Sequence, residues 1–445
     1  MIIKDIKLTS TRSRATLSAN CKIRKLGWDK VYFSVDAKNK DYIYGDASPF
    51  AAALLIPAMM QGEDLVIKGS ISKKLYENMQ EVMREVPITW DKRLRPIRIL
   101  PDAIVEDTTQ ADHVACFFTG GVDSFHTYLR HKNERAQSDR IDSFILVNGF
   151  DVHPNDTEVW NLALQNNQAI AKAEGVELVV VTSNLHQVLE PVCSWGEYNN
   201  GSCLGAIGLC LRNRFSKVYI ASSYSLEQQK HYEDMCEAIG TTKKVDELWS
   251  SEAIQFVHDG ADVGRREKVA EVVTHPIVLK RLRVCYVNKN NSFNCGSCDK
   301  CTRTMVNLYL AGALGKAETF PDEIDVKNVA NVYTSPLYCE CFYQENISEL
   351  ERRQLNPELQ AAYRQMFARS VKRHEGFKNK LNQKVIHKVV RKLNYVDYAY
   401  FGGYAYQASA QLLGKGYQAY AYSVTESRPF TLRTTQAALA ALEAK

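Results

Sequence analysis

Two short segments of this chain hold the residue types on which chemistry is most readily built. Cys285, Cys295, Cys298 and Cys301 follow one another as Cys-x9-Cys-Gly-Ser-Cys-Asp-Lys-Cys. Zn²⁺ prefers thiolate ligands, and a Cys-x2-Cys turn aims two sulfurs at one ion, with Gly296 supplying the tight turn. Four thiolates close a tetrahedron and leave no position for water, so the Zn²⁺ expected here is structural. An iron–sulfur cluster is the competing occupant. The second segment is Thr119-Gly120-Gly121-Val122-Asp123-Ser124, between the apolar run 113–118 and a helical stretch. Glycines bring backbone amides close to an anion, and a helix N-terminus adds N–H donors and partial positive charge. Thr119 and Ser124 can donate hydroxyls, and Asp123 can cap the helix or help hold Mg²⁺. The plain alternative is a Gly-Gly turn with a helix cap. The chain has no GxxxxGK[ST] loop and no GxGxxG after a strand, so kinase-type and dinucleotide readings lack support.

The glycine segment resembles the PP-loop (SGGxDS) of N-type ATP pyrophosphatases, with Thr119 where that family has its first Ser. Followed at about 160 residues by the four cysteines and Arg303, it resembles the 7-cyano-7-deazaguanine synthase family over roughly residues 112–315. The resemblance implies an adenine-nucleotide-hydrolase-like fold and cleavage of ATP between its α and β phosphates. Residues 119–124 would bind ATP, with Asp123 and Ser124 acting in catalysis, Asp123 assisting Mg²⁺, and the cysteines holding Zn²⁺. A substrate carboxylate, deazapurine-related in that family, would be adenylated and then captured by ammonia or an amine, giving an amide, a nitrile or a conjugate. A homodimer is implied as well. Related synthase-like proteins occur in bacterial defence operons, where the product is expected to be a protein conjugate. This chain departs from the family after the fourth strand, where SSYSLEQQKHYEDMCEAI (222–239) keeps only Tyr232-Glu233-Asp234-Met235-Cys236 as an echo of Tyr-Pro-Asp-Cys-Arg. It departs again after the second strand, in NGFDVHPND (148–156). The carboxylate's identity is therefore open.

Other residues offer weaker chemistry. His258-Asp259-Gly260 with Arg265, Arg266 and Lys268 reads as an otherwise helical stretch before a strand-like 276–287. Facing the strand ends, those cations would hold phosphate or carboxylate; a solvated helix start is the alternative. Cys193 and Cys203 flank a loop that a sulfur transferase, the rival enzyme, would use if one thiol had a lowered pKa. A non-catalytic nucleotide sensor is the third reading. Cys339-Glu-Cys341 is too short a turn to be a familiar redox pair, and His153 and His275 have no partners at metal-ligand spacing.

The elements that position these residues follow from hydrophobic patterning. Runs at 113–118, 143–150, 176–183 and 217–223 are continuously apolar and alternate with helix-like 156–174 and 202–215, which predicts an α/β, doubly wound parallel sheet over 112–315. Residues 1–105 predict an accessory α+β domain: strands near 2–8, 14–22, 31–36 and 64–72, an apolar stretch at 49–60 and a helix at 73–86, with Pro96 and Pro101 marking its end. Residues 316–445 read as a mainly helical, basic and tyrosine-rich extension, with an apolar stripe from Leu381 to Leu393.

Composition sets the outer bounds. The chain has 445 residues, 45% hydrophobic and 24% charged, which excludes collagen-like, disordered and small disulfide-stapled classes. Its net charge of +5 is local: Arg364–Lys392 carries ten Lys/Arg against one acid, so the remainder sums to −4. That segment would bind nucleic acid or a protein partner, or simply be a solvated helix face. No apolar run reaches the ~20 residues of a membrane span. The N-terminus, with Asp5 and Lys7, lacks a secretory pattern, so a cytoplasmic protein is expected.

Overall fold

The computed structural model describes residues 1–23, 27–152, 156–287 and 292–375. The chain divides into two compact units, Met1–Lys268 and Val269–Lys445. The first is built on one ten-stranded sheet: β1 (Ile2–Ser10), β2 (Arg14–Lys22), β3 (Asp29–Asp36), β4 (Leu65–Ser72), β5 (Ile99–Val105), β6 (His113–Phe117), β7 (Ser143–Asn148), β8 (Glu177–Ser183), β9 (Phe215–Ala221) and β10 (Gln255–Asp259). Their order across the sheet is β10-β9-β6-β7-β8-β3-β2-β1-β4-β5. Neighbours from β10 to β8 are parallel, as are β1, β4 and β5; the β8–β3, β3–β2 and β2–β1 pairs are antiparallel.

Helices fill the crossovers: α1 (Ser48–Gln61), α2 (Lys73–Thr89), α3 (Val122–His131), α4 (Thr157–Glu174), α5 (Leu185–Leu189), α6 (Asn200–Cys210), α7 (Leu226–Asp234) and α8 (Lys243–Asp246). The apolar stretch at 49–60 is α1, buried from Ser48 to Met59, as suits a helix apolar on every side. It packs on α6. Glycines in α6 admit bulky neighbours: a Cβ on Gly205 would sit 2.7 Å from Trp249, and one on Gly208 would sit 2.5 Å from Phe256.

The α/β class holds, and the strands expected in both segments of the first unit are present. Residues 1–105 nevertheless share the main sheet, because β3 joins β8 at Phe33↔Ser183 and Ser34↔Thr182. A buried ion cluster fastens the same junction. Arg212 Nη2 donates to Asp46 (2.7 Å) and Nε to Asp107 (2.5 Å), and the guanidinium lies over the Tyr44 ring. Removing one partner of such a cluster costs about 3–5 kcal/mol. The boundaries drawn from sequence at 105/112 and 315/316 do not coincide with the division at 268/269. Pro101 lies inside β5, the sheet's edge strand, where a missing N–H is tolerated.

Helix α9 (Arg265–Val272) runs across the division, and the second unit continues with α10 (Pro276–Arg281), α11 (Asp299–Leu310), α12 (Val326–Asn331), α13 (Pro336–Arg352) and α14 (Pro357–Glu375). Two expectations are corrected here. His258 and Asp259 end strand β10 instead of lying in a helix. The strand-like 276–287 begins with α10 because Pro276 occupies its first position, where a fixed φ suits a helix. Up to residue 375 the mainly helical expectation for the carboxy-terminal region is met. The stripe at 381–393, the tyrosines at 395–422 and the basic residues beyond 375 lie outside the described residues. Among the described residues no helix is long and apolar enough to cross a membrane.

Candidate functional site

The sheet order reverses beside β6. The chain moves from β6 to β7 and β8 on one side, then returns to place β9 and β10 on the other. In open α/β sheets such a switch point opens a crevice at the carboxyl ends of the strands, where ligands bind. Because β6, β9 and β10 are parallel, the loops that follow them emerge at that same end.

The loop after β6 is the Thr119–Ser124 segment. Gly120 has φ +74°, a backbone conformation that favours glycine, and an added Cβ would lie 3.2 Å from Asn166 Nδ2, a tight contact from which the amide would have to shift. Thr119 is exposed, and Val122 is buried, contributing only its backbone to the loop. Ser124 is buried: its Oγ accepts from Gly121 N (3.2 Å) and donates to Gly121 O (3.1 Å). The serine hydroxyl therefore fastens the loop to the first turn of α3, where the leading N–H groups of a helix have no intrahelical partner.

Asp123 is the meeting point of the three loops. Arg265 Nη1 donates to both carboxylate oxygens, at 3.1 and 2.9 Å, and Ser223 Oγ, after β9, donates to Oδ2 at 3.2 Å. The residues read from sequence as a cation cluster are thus split by the fold: Arg265 and Lys268 are buried near the loop, whereas Arg266 is half-buried beside Glu267. Lys268 Nζ donates to Ser222 O at 2.6 Å, and burial lowers its pKa. Asp259 accepts from Thr127 Oγ1 (2.7 Å) and from His131 Nε2 (3.0 Å). Burial works to raise the Asp259 pKa, but these bonds outweigh it and the net shift is downward.

Sequence reasoning missed several polar groups around this loop. Asn166 and Asn167 on α4 lie against Gly120, and both are buried. Asn167 Oδ1, like Asn148 Oδ1 at the end of β7, is buried without a hydrogen-bond partner. Polar amides on the inward face of α4 were the available signal. Cys193 and Cys203, by contrast, are both buried, and burial pushes the Cys203 thiol well above its ordinary value.

In the second unit the four cysteines converge. Their sulfurs all lie within 4.8 Å of one another, with Cys285–Cys298 at 3.9 Å and Cys295–Cys301 at 4.0 Å. A tetrahedron with Zn–S bonds of about 2.3 Å has edges of about 3.8 Å, whereas a disulfide needs about 2.05 Å. The set fits a metal ion. Backbone amides reinforce it: Cys298 N donates to Cys295 Sγ, and Cys301 N donates to Cys298 Sγ. Gly296, at φ +65°, leaves room for Pro321, which an added Cβ would meet at 2.9 Å. Asn294 pins Cys285 by accepting from its N–H and by donating to Leu282 O. Arg303 is directed elsewhere, toward Cys339 Sγ (3.3 Å) and the Phe342 ring.

Fold and site together define an α/β protein with a mostly parallel sheet, a glycine loop at its switch point and a four-cysteine cluster able to hold zinc. Comparison with protein-family models, curated proteins and solved structures returned no match.

Proposed function

We propose that this chain is an ATP-dependent adenylating enzyme of PP-loop type, similar to the 7-cyano-7-deazaguanine synthases and sharing their nucleotide-hydrolase-like fold. One observation carries the reading. At the switch point Asp123 of the Thr119–Ser124 loop meets Arg265, and Lys268 bonds the turn after β9, so amides, hydroxyls and two buried cations gather at the carboxyl end of these strands. Such a set suits the charge of a polyphosphate, whose stabilisation supplies most of the rate in phosphoryl and nucleotidyl transfer.

In this reading a substrate carboxylate oxygen attacks the α-phosphorus of ATP, and pyrophosphate leaves. Ammonia or an amine then attacks the acyl-adenylate, and AMP departs as the amide forms. Mg²⁺ would offset phosphate charge, and Asp123 is the carboxylate that would hold it. Zn²⁺ on the four cysteines would be structural. The deazapurine-related carboxylate, a cytoplasmic homodimer, a place in bacterial defence and nucleic-acid or protein binding through 364–392 all belong to this proposal. Sulfur transfer has less support, because Cys193 and Cys203 are buried.

Product analysis tests the proposal. With Mg²⁺ and candidate carboxylates, the protein should exchange labelled pyrophosphate into ATP and form AMP. ADP as the product would refute adenylation; tight ATP binding without exchange would favour a nucleotide sensor.

A further inference from the structure

A chain of buried polar side chains runs toward the crevice and is unused by the reaction just proposed. Asp246 Oδ2 lies 2.8 Å from His258 Nδ1, and both side chains are fully buried. His258 Nε2 in turn lies 2.9 Å from Gln229 Nε2. Gln229 Nε2 also reaches Ser222 Oγ (3.1 Å) and Tyr224 O (3.2 Å), while Gln229 Oε1 accepts from Lys243 N (3.0 Å). Ser222 Oγ donates to Tyr224 O (2.6 Å), closing the turn after β9. The next residue along, Ser223, bonds Asp123.

These contacts assign the protons. A backbone N–H at Oε1 fixes which end of the Gln229 amide faces His258, and that end is a donor. The imidazole therefore accepts at Nε2 and carries its proton at Nδ1, toward Asp246. Turning the amide over would set its NH₂ against Lys243 N, so the amide's orientation is fixed from both sides. Among the surrounding titratable groups, Glu247 follows Asp246, Asp259 follows His258 and is bonded by Thr127 and His131, and Lys268 is bonded to Ser222 O. On α3, His126 lies beside Gly260, and on α7 Lys230 and Asp234 pair with each other at the surface.

We infer that Asp246, His258 and Gln229 are positioning residues: they hold the turn after β9, and through Ser223 the Asp123 carboxylate, in the arrangement the phosphate site requires. The inference rests on the phosphate-site part of the proposed function.

Calorimetric titration of the full zinc-loaded chain with Mg²⁺-pyrophosphate and with Mg²⁺-ATP at about pH 8 tests it. Gln229→Leu and His258→Phe should each bind both probes about tenfold more weakly than the wild type, and His258→Gln, which offers a donor and an acceptor, should recover most of that loss. Gln229→Leu and His258→Phe binding both probes as tightly as the wild type would overturn the positioning role alone. Failure of the wild type to bind either probe would overturn the phosphate-site reading and this role with it. Should the variants not fold, ¹⁵N spectra of histidine-labelled wild type at about pH 8 decide the matter, and a proton on His258 Nε2 overturns the inference.

Discussion

Arg265 and Asp123 form a buried ion pair in which one guanidinium nitrogen, Nη1, spans both carboxylate oxygens at 3.1 and 2.9 Å. Arg265 is 2% exposed at its side chain and Asp123 17%. The residue that would assist Mg²⁺ is thus also the counter-ion of a cation beside the same crevice. An aspartate so placed has two duties, one electrostatic within the fold and one toward a ligand.

The first prediction follows. Asp123→Asn keeps the volume but removes the charge facing Arg265, and breaking a buried pair costs about 3–5 kcal/mol. Asp123→Asn and Arg265→Met should each lower the stability of the first unit. The double variant should lose less than the sum, with a coupling of about 1–3 kcal/mol by denaturant unfolding. Strict additivity would show that the pair contributes nothing to the fold.

A second prediction concerns the loop backbone. Gly120→Ala places a Cβ at φ +74° and 3.2 Å from Asn166 Nδ2. The left-handed conformation costs a non-glycine residue about 1–2 kcal/mol. The variant should unfold at lower denaturant and bind Mg²⁺-ATP more weakly, whereas Gly175→Ala, with open space around its Cβ, should show only the stability loss. Equal ATP affinity in wild type and Gly120→Ala would remove the loop from the binding site.

How far the sequence carried this reading depended on range. The cysteine set and the glycine loop were legible because each lies within a few residues of itself, and spacing dictates geometry there. The crossover strands were legible from their unbroken apolar runs. The pairing of Arg265 with Asp123 spans 142 residues and left no local mark. Likewise, nothing in the pattern of β3 announces that it will join β8 through two residue pairs. Around Pro276 the β-branched and apolar run suggested a strand, but the proline's position at the first turn of α10 decided for a helix.

The metal supplies the third prediction. Elemental analysis should find one Zn²⁺ per chain, because four sulfurs stand at tetrahedral spacing. Cys298 also caps α11, its Sγ accepting from Cys301 N. A serine can keep that cap but is a far poorer zinc ligand, so Cys298→Ser separates the two roles. Loss of zinc with a large fall in the thermal stability of the second unit is expected, since structural zinc contributes folding free energy. Iron with sulfide in place of zinc would overturn the assignment.

The last prediction lies on α13. Burial raises the Glu340 pKa to about 7, and a bond with Gln344 only partly opposes it. A carboxyl with a raised folded-state pKa contributes its stability fully below the ordinary glutamate value of about 4.3. That contribution is lost as pH rises through about 7, where the folded protein must carry the buried charge. Glu340→Gln retains the shape and cannot ionise. By calorimetry its second unit should match the wild type near pH 4 and become progressively more stable than it toward about pH 8. A shift of one pKa unit is about 1.4 kcal/mol, and partial solvent access reduces the total, so the gap should reach about 1–3 kcal/mol, or several degrees in Tm. A gap that stays constant across this range would show that Glu340 does not titrate in the folded protein as its burial requires.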